Sequence, residues 1–185
     1  MKRTRANWWS GLAAATAIGA VAMGAAWAAG EPDSTRGEGA GAVVDLSQVR
    51  DRAETMPIDL RNDVSKRIGV TVERVNNEAR DRGQTAVAAR LASEFGLTVE
   101  ALLDEKGKHG LSWGEMVIAH TLLANAKDKV TLLDLMSLRA DGLGWGAIAY
   151  GLRFHLEDLE DAIKAEGRVA MGLSKPDGKA AVIGK

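Results

Sequence analysis

The chain contains no cysteine among its 185 residues. That excludes a disulfide framework, a cysteine-ligated metal, a thiol nucleophile and a lipid anchor attached through cysteine. Charge of either sign is nearly balanced, with a formal net of −1. A balance of that kind argues against a strongly basic nucleic-acid binder. There is no Gly-x-Ser-x-Gly elbow and no Gly-rich loop ending in Lys-Ser or Lys-Thr. Nothing therefore points to a serine hydrolase or a nucleotide site. No stretch alternates with period two for long enough to read as a strand. What remains is a chain of one ordinary domain's length, 46% apolar and 26% charged.

The N-terminus reads as an address. Lys2, Arg3 and Arg5 precede an uncharged run from Ser10 to Ala25, and Ala26-Trp27-Ala28 has the small-x-small form of a cleavage site. The expectation is a secretory signal over residues 1–28, with a retained membrane anchor as the alternative, because Ser10 to Ala29 is long enough to span a bilayer. No Arg-Arg pair is present, which favours the general secretion route. Cleavage removes three positive charges and no negative one, taking the net charge from −1 to −4. It leaves two tryptophans, Trp113 and Trp145.

Residues 29–44 are Gly-rich and polar and read as a flexible linker. The periodicity then predicts a helical domain over 45–172, all-α, as a small bundle or stacked helical hairpins. Asp45 and Gln48 have the spacing of a capping box. From Leu60 the apolar residues Val64, Ile68, Val72, Val75 and Ala79 follow at steps of four, four, four, three and four, which is a helical stripe. Arg82-Gly83-Gln84 ends or bends it. A helix over Ala86–Phe95 stops at Gly96, and Thr98 caps the next. Gly107 to Gly110 is predicted as a loop, and Ser112 with Glu115 as a capping box. Later helices open at Thr131, Trp145 and Leu156. Lys175-Pro176-Asp177-Gly178 is predicted as a turn, and residues 173–185 as a turn followed by a frayed tail.

One pattern recurs. Gly110-Leu111-Ser112-Trp113-Gly114 and Gly142-Leu143-Gly144-Trp145-Gly146 share Gly, Leu, Trp and Gly at an offset of 32 residues. Thr98 and Thr131 match upstream if one loop residue is dropped. Two units, about 98–125 and 131–163, thus read as an internal repeat. Gly stops one helix, Leu staples the turn, Trp opens the next helix, and the second Gly permits close helix approach. Large aromatics at such junctions are expected in the core. The alternative is an exposed stacking surface for sugar or peptide.

The segment Gly142-Leu143-Gly144-Trp145-Gly146-Ala147-Ile148-Ala149 resembles a motif of uncharacterised exported bacterial proteins of helical type. The resemblance extends over roughly residues 58–180 by motif order. It implies export and a helical fold, and no activity.

Other patterns bear on chemistry. Ala88 to Leu103 and Trp145 to Ala162 each resemble a helix-turn-helix. Their second helices carry Glu100, Asp104 and Glu105, and Glu157, Asp158, Glu160 and Asp161, which repel phosphate. His155 and Asp158 can share a helix face, but His109 and His120 lack partners at ligand spacing, and zinc needs three or four ligands. Glu115 with Asp141 is a conceivable carboxylate pair for hydrolysis. The sequence therefore assigns no catalytic residue, no metal ligand and no cofactor. The residues singled out are Gly110, Leu111, Trp113, Gly114, Gly142, Leu143, Trp145 and Gly146. The expected function is a periplasmic or secreted, non-enzymatic interaction or structural module with a protein or envelope component as partner and no nucleic acid. The membrane enters only if the signal segment is kept. The alternatives are a DNA-binding protein and a small hydrolase acting on envelope material.

Overall fold

A computed structural model of the chain describes residues 43–183. The signal segment and nearly all of the 29–44 linker lie outside the described residues. The described part is all-helical: α1 (Leu46–Glu54), α2 (Ile58–Arg82), α3 (Gln84–Phe95), α4 (Val99–His109), α5 (Trp113–Asn125), α6 (Leu132–Ala140), α7 (Trp145–Gly151) and α8 (Leu156–Ala170). Its one extended pairing is an isolated bridge between Val43 and Lys129.

The helices form a bundle around α2. The stripe read from the sequence is its buried face, through Val64, Ile68, Val75 and Ala79, with Thr71 buried beside them. Helices α3, α5, α7 and α8 pack against it. α5 is buried at every position from Trp113 to Leu122 except Glu115. A helix apolar all round belongs in the interior, and α5 is the second axis of the bundle. α1 packs on α7, where Arg52 Nε donates to the Gly151 carbonyl at 2.7 Å.

Small residues set the helix spacing. A Cβ on Gly114 would fall 2.5 Å from Val72 Cα, one on Gly151 2.4 Å from the Val49 carbonyl oxygen, and one on Gly167 2.5 Å from Thr71 Cγ2. α2 is therefore approached by α5 down to its backbone at Val72 and by α8 down to the Thr71 side chain.

Four local expectations are corrected. Gly107 to His109 is helix, and α4 ends only at Gly110, whose φ is 65°. The helix tolerates Gly107, and Lys106, Lys108 and His109 in its last turn complement the negative end of its dipole. Gln48 does not close a capping box, because its side-chain amide donates to the Asp45 carboxylate and its side-chain oxygen does not accept from the Asp45 backbone amide. Asp45 itself caps α1, accepting from the Ser47 and Gln48 amides. Finally, residues 175–183 form no frayed tail. They run as a strap across α3, α5 and α8, with their main chain bonded to Glu94, Glu166 and Asn125. Asp177 accepts the Lys179 amide at 2.9 Å in place of the expected turn.

Candidate functional site: two tryptophan junctions on one helix

The two Gly-Leu-x-Trp-Gly segments are the α4–α5 and α6–α7 junctions. Gly110 and Gly142 have φ of 65° and 88°, the left-handed region that suits a residue without Cβ. The Leu111 amide donates to the Lys106 carbonyl and the Leu143 amide to the Leu138 carbonyl, closing the last turn of each preceding helix in the Schellman manner. Leu111 and Leu143 are buried against the core. Trp113 and Trp145 are 3% and 9% exposed, so both rings are core side chains and not an exposed platform.

Both junctions seat on α2. Gly114 abuts Val72, and its amide donates to Asn76 Oδ1 at 2.9 Å. Gly146 abuts Val64, with a Cβ there falling 2.8 Å from Val64 Cγ1. Val64 and Val72 lie on the same stripe of α2, so the two junctions follow one another along it.

Each ring also carries a cation. Lys106 Nζ stands 5.3 Å from the centre of Trp113, and the Arg139 guanidinium 5.1 Å from that of Trp145. These contacts were missed in the sequence, yet a signal was present. Lys106 and Arg139 follow the caps Thr98 and Thr131 at the same spacing, on the helix that precedes each tryptophan.

The junctions differ in their caps, Ser112 against Gly144, and in the residue after the second Gly, Glu115 against Ala147. Ser112 caps α5 by accepting from the Glu115 amide, and Glu115 Oε2 accepts from the Ser112 amide at 3.0 Å, which completes the predicted capping box. At the second junction Gly144 offers no side-chain cap. Glu115 Oε1 then reaches the second junction, 3.4 Å from both Trp145 Nε1 and Arg139 Nη2. Arg139 Nη1 also donates to the Leu143 carbonyl at 2.9 Å. Burial acts to raise the Glu115 carboxyl. The Ser112 amide and hydroxyl, the Trp145 N–H and Arg139 outweigh it and hold the group below its ordinary 4.5. Glu115 is thus an ionised tie between the junctions, with its lone pairs committed. It is poorly suited to the work of a general acid, which needs a raised pKa.

A groove of about 430 Å³ opens beside this tie. Ile68, Val72 and Ile118 supply its apolar surface, Gly69 leaves it open on the α2 side, and Glu115 and Arg139 line its charged edge.

The remaining candidates fall elsewhere. Asp141 is not paired with Glu115 and binds Arg50 of α1. His120 is 7% exposed, stacked on Phe95 at 5.0 Å, with Nε2 3.0 Å from Glu105 Oε2 of α4. That partner lies fifteen residues upstream and is brought near only by the fold. Burial lowers the His120 pKa, with Glu105 opposing. Among the described residues no three His, Asp or Glu side chains converge as a metal site would require. The α3–α4 pair does form two helices joined by a short turn, but Glu100 and Asp104 are exposed on α4, as are Glu157, Asp158 and Asp161 on α8. No helix among the described residues is long and apolar enough to cross a membrane. No family model, curated protein or solved structure matches the chain.

Proposed function

We propose that this chain is an exported, non-enzymatic helical module that binds a protein of the cell envelope through the groove beside the Glu115–Arg139 tie. The observation that carries the reading is the groove itself. Its floor is apolar, its charged rim is already neutralised by an internal ion pair, and its one carboxylate is held ionised by four interactions. Such a surface suits docking of an apolar side chain framed by polar contacts. A hydrolase needs a carboxyl free to exchange a proton, and Glu115 is not free. Export rests on the tripartite layout of residues 1–28. The acids exposed on α4 and α8 weigh against the DNA-binding alternative.

Two measurements test this. Native cells are fractionated and the intact mass of the protein is taken. A mass lacking residues 1–28 in the periplasm or medium supports export, and an uncleaved cytoplasmic mass overturns it. A photo-crosslinker placed at the exposed Ser65 then reports the groove's occupant. A Cβ on Gly69 meets nothing within 4 Å, so Gly69→Leu is the variant chosen to obstruct the groove, with circular dichroism and urea unfolding confirming that the bundle is intact. The adduct is expected to disappear in that variant. An adduct indifferent to Gly69→Leu would place the contact surface elsewhere.

A further inference from the structure

The strap after α8 is bound in the way a peptide ligand is bound. The Asp177 amide donates to Glu94 Oε2 at 2.8 Å, and the Ala181 amide donates to Glu166 Oε1. Asn125 works as a two-point clamp: its Nδ2 donates to the Ala181 carbonyl and its Oδ1 accepts from the Ile183 amide, both at 2.8 Å. Three side chains from three helices read the main chain of one extended segment. Little of this depends on the segment's own side chains. Gly178 and Ala180 lie beside Glu94 and His120, and Ile183 lies beside Leu152 and Phe154.

The reading groups are buried, with Glu94 4% and Glu166 1% exposed. Among the described residues each carboxyl makes its hydrogen bond only to the strap, and Glu166 Oε2 has no partner. Buried carboxyls without a cation are a poor way to glue helices, because desolvation works against them and apolar side chains would pack as well. They are a good way to demand a row of backbone amides. Without the strap, Glu94, Glu166 and Asn125 lose those partners. Another extended main chain restores them.

We propose that this groove is a binding site for an extended peptide, filled in this structure by the chain's own tail and open to the same tail from a second copy. Self-complementarity follows from the geometry, since whatever docks in cis fits in trans. The Gly172, Leu173 and Ser174 amides donate back to the last turn of α8, so such an exchange swings the chain beyond Ser174. The site is independent of the groove on α2.

The test uses the full chain carrying Ala181→Pro. Proline has no N–H to give Glu166, so the tail in cis loses its grip while every groove side chain stays. A fluorescent peptide of residues 175–185 is titrated against it. Saturable binding is expected, weakened tenfold or more when Asn125→Ala is added, and absent for a peptide carrying the same proline. Wild-type protein should bind the peptide far more weakly, because its own tail competes at an effective concentration in the millimolar range. Refolded at high concentration, wild-type protein should yield a dimer by light scattering, and Ala181→Pro should not. A helical, folded Ala181→Pro chain that ignores the peptide overturns the proposal and makes the strap a fixed part of the fold. If that variant does not fold, wild-type protein is unfolded and refolded with the peptide in excess over the effective concentration of its own tail, and native mass spectrometry decides. A one-to-one adduct supports exchange, and its absence under those conditions overturns it.

Discussion

Gly114 lies against Val72 so closely that a Cβ on it would sit 2.5 Å from the Val72 Cα and 2.6 Å from its carbonyl oxygen. Backbone cannot step aside as a side chain can. Gly146, in the matching place, meets only the Val64 side chain, at 2.8 Å. Gly114→Ala should therefore cost about 3 kcal/mol, and Gly146→Ala about 1 kcal/mol, the range seen for overpacked interiors. Urea unfolding of the two variants measures the difference. Equal losses would mean that the backbone contact at Val72 is not what distinguishes the junctions.

Trp145 joins core packing to the tie across the groove. Its ring is 9% exposed, Arg139 stands over it, and its N–H points at Glu115. Trp145→Ala is expected to cost about 3–5 kcal/mol through the cavity it leaves. Arg139→Met keeps most of the stem packing but removes the cation, at a cost near 1 kcal/mol. Chemical denaturation separates the two. If Trp145→Ala left stability unchanged while abolishing the crosslink from Ser65, the ring would belong to the contact surface and not to the core.

Helix positions were legible because they rest on local signals. The four-residue stripe of α2, the caps Thr98, Ser112 and Thr131, and the stops at Gly96 and Gly142 are all written within a few residues of where they act. What was not legible is non-local or chemically unusual. Glu94 and Glu166 are charged residues that composition places on the surface, and only the strap explains their burial. Gly107 looked like a stop because glycine often is one, but a helix ends where the backbone turns left-handed, and here that is Gly110. Asn76 reads as a solvated residue off the stripe until the amide of Gly114 is seen to need it. The groove on α2 depends on α2, α5 and α7 converging, which no spacing along the chain encodes.

Arg153 is the one non-glycine residue with positive φ among the described residues, at 65°. It follows α7 much as Gly110 follows α4, with the Phe154 amide donating to the Ala149 carbonyl. An L-residue is strained there by roughly 1 kcal/mol, and Arg153 is exposed and donates no side-chain hydrogen bond to another described residue. Arg153→Gly should accordingly raise stability by up to about 1 kcal/mol, relief of strain being partly offset by glycine's greater freedom when unfolded. Thermal unfolding measures it. A loss of stability would show that the arginine makes a contact worth more than the strain it bears.

Glu166 should make stability fall as the pH rises through the neutral range. Burial pushes its carboxyl up from 4.5 to about 7; the Ala181 amide opposes this, and Glu94 and Asp177 add to it. Between those two values the folded chain holds a proton that the unfolded chain has released. Stability contributed by this group is therefore complete below about pH 4.5, declines by at most about 1.4 kcal/mol per pH unit, and is lost by about pH 7. His120 acts in the opposite sense. Its pKa is lowered by burial from 6.5, so its neutral form is favoured on folding and stability drops as the pH falls below that value. The two slopes overlap, and wild-type protein alone would not resolve them. Glu166→Gln keeps an acceptor for the Ala181 amide and removes the titration. The difference in unfolding free energy between wild type and Glu166→Gln, followed from pH 4 to 8, should thus shift steadily in favour of the variant as pH rises and level off near 7. Parallel profiles would show that Glu166 ionises normally. The strap would then be held by a carboxylate throughout the neutral range.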